Sequence, residues 1–429
     1  MSWETPDAYQ QHLDATAIVP QGFHFFRQQL VFSPPERPGA GPYRMNLSFL
    51  HSDGMDTVGA AVSTRNRYPG APVLLLRERN LPGPLRGILV NNKVANVASP
   101  GGLEHARALA AAAAQTYRLP EQQVLSVSTG VIGWALPVTE MQQVLVSLPS
   151  HQCSPRQWAE AIMTTDRYPK MACGRSRDTH AAMLGIAKGA GMIEPDMATM
   201  LAFFVTDGQV SPEVLQRVLA RVSDRSFNAL SVDGDQSTSD MVLAMANGLS
   251  GEVLEEAALE RLWQPLADSL AMEIVRNGEG TAHVLELTIR GVPDRRFARN
   301  VGRHVINSPL VKTAIHGNDP NIGRILGALG SALSRYDSEG TVDPRNLTMT
   351  LAGTEVFRGG AFQIDAITEK TLSDAMVAAA MDPTVRGFPQ LRGTVPIVLD
   401  FNGPDCEDVR VIGSDLSYEY IRENADYRT

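Results

Sequence analysis

Several common devices are missing from this 429-residue chain. It has three cysteines, Cys153, Cys173 and Cys406, odd in number, far apart and in no CxxC pair. That excludes a disulfide framework and a cysteine-built zinc site, and it suits a reducing cytoplasm. Aromatic residues make up only 6%, which favours close-packed α/β layers over a surface of aromatic anchors. No apolar run reaches the roughly 18 residues of a membrane span, and the start, MSWETPDAYQQHLDATAIVPQGF, is acidic without a signal-peptide core. A soluble, non-exported chain with no membrane partner is expected. The net charge is −9 with no block of one sign, so nucleic acid is not an expected partner. There is no G-x-S-x-G elbow, no Ser-His-Asp arrangement and no metal site in the pattern.

With 43% hydrophobic residues, the chain can build two domains unaided. It turns on residues 185–208, GIAKGAGMIEPDMATMLAFFVTDG. Three glycines within seven residues predict a shaped loop over the first half. Residues 200–205, stopped by Asp207-Gly208, predict a buried strand. Thr199 sits at the junction, where residue type alone makes it a β-former and position makes it a candidate nucleophile. Phosphate motifs fail: Glu194 stands where a dinucleotide fingerprint needs its third glycine, and no Gly-Lys-Ser/Thr follows.

Elsewhere, the pattern predicts a loop or arm over residues 1–45 and strands at 45–50, 58–64, 72–76 and 86–91. An alanine-rich helix over 103–117 precedes a strand at 124–128 that ends in Thr129-Gly130, a turn whose backbone N–H groups suit an oxyanion site. Ser154-Pro155-Arg156-Gln157 predicts a capped helix start, and Ser211-Pro212 another. The segment SVDGDQSTSD, residues 231–240, lacks calcium-loop spacing and predicts a polar turn before a helix. Residues 254–277 predict a helix, or two helices split near Pro265, and Glu279 falls in the following turn, where a lone carboxylate is usually solvated. The pattern changes near 285–292, giving an expected division into residues 1–285 and 286–429.

KGAGMIEPDMATML from Lys188 resembles the signature of the ornithine acetyltransferases, or glutamate N-acetyltransferases. STGVIG, AIMTTD, SVDGDQSTSD, NGEG, NSPLVKTAIHGNDPN and ENADYRT agree in the same order. The resemblance implies an α/β fold, an αββα-type layered sandwich with a smaller α/β C-terminal domain, and self-cleavage between Ala198 and Thr199. It implies Thr199 as nucleophile, Thr129 and Gly130 as the oxyanion pair, and Thr165, Lys188, Glu279, Asn424 and Thr429 as contacts to an amino-acid substrate. It also implies no resident cofactor, with acetyl-CoA as an alternative donor, and an α2β2 assembly of two processed chains. The expected reaction is ping-pong transfer of acetyl from N-acetylornithine to glutamate or a related amine. Ile322 stands in place of a family Trp, Glu194 and Asp196 replace His and Asn, and the first 70 residues match weakly. Two other readings stay open on the residues: an amidohydrolase, aminopeptidase or specialised acyltransferase using the same Thr199, and a non-catalytic scaffold.

Overall fold

In a computed structural model, which describes residues 3–39, 41–194, 200–390, 393–403 and 407–425, the strands gather into three sheets. The first has four strands in the order β1 (Phe23–Phe32), β2 (Tyr43–Ser52), β5 (Gly87–Asn91) and β6 (Val124–Ser128). The second has six: β4 (Gly83–Pro84), β3 (Val58–Ser63), β11 (Met241–Ala246), β9 (Leu201–Thr206), β8 (Ala182–Lys188) and β7 (Lys170–Arg175). The third has seven: β10 (Leu230–Ser231), β17 (Val409–Ser414), β12 (Val284–Arg290), β16 (Val395–Asp400), β13 (Thr348–Leu351), β14 (Thr354–Arg358) and β15 (Ala361–Phe362).

The near-continuous apolar strands of the second sheet are buried on both faces, and their period of two divides them between two cores. Leu184, Ile186, Phe203, Val205 and Leu243 join the first sheet, together with helices α2 (Ala71–Glu78), α3 (Gly102–Tyr117) and α4 (Val138–Ser147). Met183, Ala187, Ala202, Phe204, Val242 and Ala244 face the other way, onto α6 (Pro212–Arg225) and α7 (Glu256–Arg276). The layer order is therefore α, β, β, α. Trp158 of α5 (Pro155–Ala161) is wedged between the sheets, edge-on to Phe25 at 5.8 Å and to Phe203 at 5.1 Å. Alanine there would cost about 3–5 kcal/mol through the cavity left behind.

A third core runs from Leu285 to Val411, where the seven-stranded sheet packs with α8 (Arg295–Ile306), α9 (Pro309–His316), α10 (Ile322–Tyr336) and α11 (Ala366–Ala379). Its edge strand β10 comes from earlier in the chain and pairs in parallel with β17. After β17, α12 (Tyr418–Ala425) turns back towards Gly280, whose carbonyl accepts the Ser417 hydroxyl at 2.6 Å. Among the described residues, no helix is long and apolar enough to cross a membrane.

Four local expectations are corrected. Residues 1–45 are not mainly loop: they contain α1 (Pro6–Thr16), capped by Thr5, and the ten-residue β1. Residues 72–76 lie in helix α2, because Pro72 occupies its first turn and a short apolar run fits either a buried helix or a strand. Gly185 lies inside strand β8, where a Cβ would crowd Phe204 and Leu270, so the loop begins only at Gly189. The polar turn at 231–240 feeds strand β11, not a helix. Of the two alternatives for residues 254–277 the single helix holds: α7 runs through Pro265, and both Pro265 and Arg261 are exposed, so water can meet the carbonyl whose bond the proline removes.

Candidate active site

Strand β6 ends against β5 in a side-chain lock, the Ser128 hydroxyl donating to Asn91 Oδ1 at 2.7 Å and the Thr129 N–H donating to the Asn91 carbonyl at 3.0 Å. The next residue turns sharply. Gly130 has φ +130°, and a Cβ there would overlap the Lys93 backbone, so only glycine fits. Among the described residues, neither the Gly130 N–H nor the Thr129 hydroxyl has a hydrogen-bond partner. Two donors are thus held side by side on a rigid strand end.

A second wall comes from the segment after α5. Its helix start carries the full capping box expected from the sequence, with Ser154 and Gln157 reciprocally bonded at 3.0 and 3.2 Å. Beyond the helix, Asp166 takes the Thr164 N–H at 3.1 Å, the Gly189 N–H at 2.7 Å and the buried Lys170 ammonium at 2.5 Å. Burial pushes Asp166 up, but Lys170, Lys188 and the Gly189 N–H outweigh it and hold the carboxyl at about 2. Lys170 also reaches Asn277 Oδ1 at 2.5 Å, which ties this wall to the end of α7.

The third wall is the loop from Gly189 to Glu194. Asp233 accepts the N–H groups of Met192 at 2.6 Å and Ile193 at 2.7 Å, fixing Met192 in a left-handed conformation at φ 56°. The aspartate-rich segment thus braces this loop with backbone hydrogen bonds. The Ala190 carbonyl accepts the Glu279 N–H at 2.8 Å, and Gly191 lies flat against the Glu279 carboxylate.

These walls enclose a cavity of about 320 Å³ lined by Thr129, Gly130, Thr165, Lys188, Glu279 and Asn424. Six residues named from the sequence therefore meet in one place. Ala198, Thr199 and Thr429 lie outside the described residues. Thr164 also lines the cavity: its hydroxyl lies 3.4 Å from Lys188 Nζ, while the Thr165 hydroxyl acts on the Glu279 carboxylate and pulls its pKa down. Both members of the threonine pair thus meet a charged group. Glu279 is buried rather than solvated and accepts Asn424 Nδ2 at 2.9 Å. Burial raises its carboxyl above the ordinary range, against the pull of the Thr165 and Asn424 hydrogen bonds. Burial likewise lowers Lys188, against Asp166 and Asp240. A small cavity with one cationic wall, one anionic wall and two free donors between them is complementary to an α-amino acid with an acyl oxygen to stabilise.

Sequence reasoning missed Asp166, Lys170, Asn277 and Asp233 as builders of this site. Three of them lie inside the ordered blocks AIMTTD, NGEG and SVDGDQSTSD, but nothing in linear spacing pairs them. Among the described residues one group has ligand-like spacing for a cation, His283, His316 and Asp415. Both imidazole Nδ1 atoms address the same Asp415 oxygen, at 3.0 and 2.9 Å, which makes the group a hydrogen-bonded tie between β12, α9 and β17.

Comparison with known proteins adds lineage to this geometry. The model of the ArgJ family matches residues 39–429. Glutamate N-acetyltransferase Oat2 of Streptomyces clavuligerus is 39% identical over 420 residues, spanning 97% of this chain and 100% of the relative. The arginine biosynthesis bifunctional protein ArgJ of Geobacter sulfurreducens is 39% identical over 416 residues, 94% of this chain and 99% of its own. A crystal structure of the Bacillus halodurans ArgJ protein overlaps 53% of this chain and 100% of its own, at 29% identity and a TM-score of 0.46. With a family match and relatives that span nearly the whole length, the chain belongs to the ArgJ family and is an N-acetyltransferase.

Proposed function

We propose that the protein moves an acetyl group from N-acetylornithine to glutamate through an acetyl-Thr199 ester, in the cytoplasm and as a step of arginine biosynthesis. The observation that carries this is the single cavity in which Lys188, Glu279, Thr129 and Gly130 meet. The ammonium of Lys188 suits the α-carboxylate of the substrate, and Glu279, with Asn424 and Thr165 beside it, suits an ammonium. Thr429 would complete this polar rim. The Thr129 hydroxyl and Gly130 N–H suit the oxyanion that forms when Thr199 attacks the acetyl carbonyl.

Thr199 becomes competent by cleavage of its own chain. Its hydroxyl attacks the Ala198 carbonyl, the peptide C–N bond breaks to leave an ester and a free Thr199 amine, and water hydrolyses the ester to release Ala198 as a carboxylate. The new α-amine, with a reference pKa of roughly 7.7–8.0, then serves as general base for the neighbouring hydroxyl. No resident cofactor is needed, and acetyl-CoA is an alternative acetyl donor. The fragments 1–198 and 199–429 stay associated, and two such pairs form an α2β2 particle.

Mass spectrometry and steady-state kinetics test this together. The protein should arrive as two fragments meeting at Ala198-Thr199, show parallel-line kinetics for N-acetylornithine and glutamate, and yield an acetylated peptide beginning at Thr199. Thr199→Ala should remain a single inactive chain. An intact chain with full activity, or acetate release at equal rates with and without glutamate, would overturn the proposal.

A further inference from the structure

A groove of about 1010 Å³ between α8 and α10, separate from the active-site cavity, gathers Arg65, Arg296, Arg299, Arg303, Arg324 and Arg335. Six of the chain's 38 basic residues on one concave surface is a strong concentration for a protein of net charge −9. Among the described residues two carboxylates, Glu194 and Asp233, line the same groove. Arg299 is paired with Asp224, and Arg303 with Glu194 at 2.6 Å. Among the described residues the Arg324 guanidinium reaches neutral acceptors alone, the Leu310 carbonyl at 3.0 Å and Thr313 Oγ1 at 3.3 Å. Among the described residues Arg65, Arg296 and Arg335 form no ion pair, and all three are exposed. Four guanidinium groups thus face one space without a carboxylate to neutralise them.

We propose that this groove binds a ligand carrying two or more phosphate groups. Guanidinium forks match phosphate oxygens in pairs, and a carboxylate metabolite or a single phosphate would leave most of the four groups unserved. The first turn of α10 contributes at Gly323, whose backbone N–H at the helix N-terminus adds to the same field. The volume is that of a nucleotide-sized site. At the far end Tyr336, edge-on to His304 with ring centroids 6.1 Å apart and with the Arg335 guanidinium 5.8 Å from its own centroid, supplies an aromatic ring against which a ring carried by the phosphates can stack.

The groove is wired to the acetyl-transfer site. Glu194, held by Arg303, by the Asn307 amide and by the Ser231 hydroxyl at 3.1 Å, closes the loop that Asp233 braces and directly precedes the segment leading to Thr199. A phosphate that draws on Arg303 competes with Glu194, so occupancy changes the tension on that loop and is felt as a change in transfer rate.

Calorimetry on the purified full-length protein, at about 0.15 M salt, tests binding apart from catalysis. Inorganic tripolyphosphate, ATP and coenzyme A share the required chemistry, and the three arms separate a bare polyphosphate from a ring-bearing one; inorganic monophosphate is the control. At least one polyphosphate should bind one per chain, with monophosphate far weaker and with affinity falling as salt rises. The double variant Arg296→Gln, Arg335→Gln removes two exposed, unpaired groups and should fold and melt as the parent, yet lose about tenfold or more in affinity. Absence of binding for all three probes, or affinity unchanged in the double variant, overturns the proposal. So does a double variant that changes sedimentation mass without changing probe binding, which would assign the groove to a contact between subunits.

Discussion

Gly191 makes room for Glu279: a Cβ added at position 191 would overlap both oxygens of that carboxylate. The glycine sits in a loop fixed by the Ala190 carbonyl on one side and by Asp233 on the other, so the loop cannot retreat without breaking those bonds. In Gly191→Ala the carboxylate must therefore move, by about the length of a methyl group. A displacement of that size at a positioning group costs about a hundredfold. The loss should appear chiefly as a raised KM for the amine substrate, with the melting temperature nearly unchanged. Steady-state kinetics beside a thermal melt check it, and an unchanged KM would remove Glu279 from substrate binding.

The oxyanion pair makes a contrasting prediction. Gly130→Ala meets both a forbidden φ and the Lys93 backbone, so the N–H must swing away from the cavity. Thr129→Val keeps the shape and removes only the hydroxyl. Both should lower kcat by about 10²–10³ and leave KM near the parental value, because these donors are engaged only in the transition state. Pre-steady-state measurement of acyl-enzyme formation distinguishes this from a folding defect.

Elements whose local pattern agrees with their packing were legible in the sequence. The Ser154 capping box, the apolar face of α6 and the buried β9 each follow from residue type and period alone. Strand β1 was not legible, because it is the edge of its sheet and carries Arg27, Gln28 and Gln29 in its middle, where an edge can solvate them. The cavity's residues were found through ordered blocks resembling a family, not through spacing. What the blocks could not convey is which polar groups lock together. Asp166 meets Gly189 across 23 positions and Lys170 meets Asn277 across 107, contacts that exist only once β7 has paired with β8 and α7 has packed on that sheet.

The shifted charges in the cavity predict a pH signature with opposite effects on stability and activity. Burial raises Glu279 above the roughly 4.3 of a free glutamate, so the folded state binds this proton more tightly than the unfolded chain. Stability from this group is greatest below the unfolded value and is lost as pH rises through the folded value. At pH 7 the ionised carboxylate is therefore a cost that substrate binding offsets. Glu279→Gln should melt higher than the parent at neutral pH while kcat/KM collapses. In the parent, the acid limb of kcat/KM should lie above the pH expected for an ordinary carboxylate. Parallel pH profiles of melting and of kcat/KM for the two proteins decide it, and a variant less stable at pH 7 would contradict the desolvation account.

The tie between His316 and Asp415 stabilises the fold where the ionised Glu279 costs it. Asp415 raises His316 above its ordinary value through a 2.9 Å hydrogen bond. Burial pushes Asp415 up, but the two imidazoles and the Ala282 N–H hold it at about 2. For the histidine, the gain is complete below the unfolded value of about 6.5 and disappears as pH rises through the folded one; for the aspartate, it is present above about 3.9 and disappears as pH falls towards its folded value. The contact should therefore stabilise most between about pH 4 and 6.5, where both charges are present. His316→Asn should lose on the order of 1–2 kcal/mol at pH 6 and distinctly less at pH 9, once the parental imidazole is neutral. Urea unfolding of parent and variant at the two pH values measures the difference. Equal losses at both would mean that His316 acts by packing alone, and that the tie from α9 to β17 does not depend on its charge.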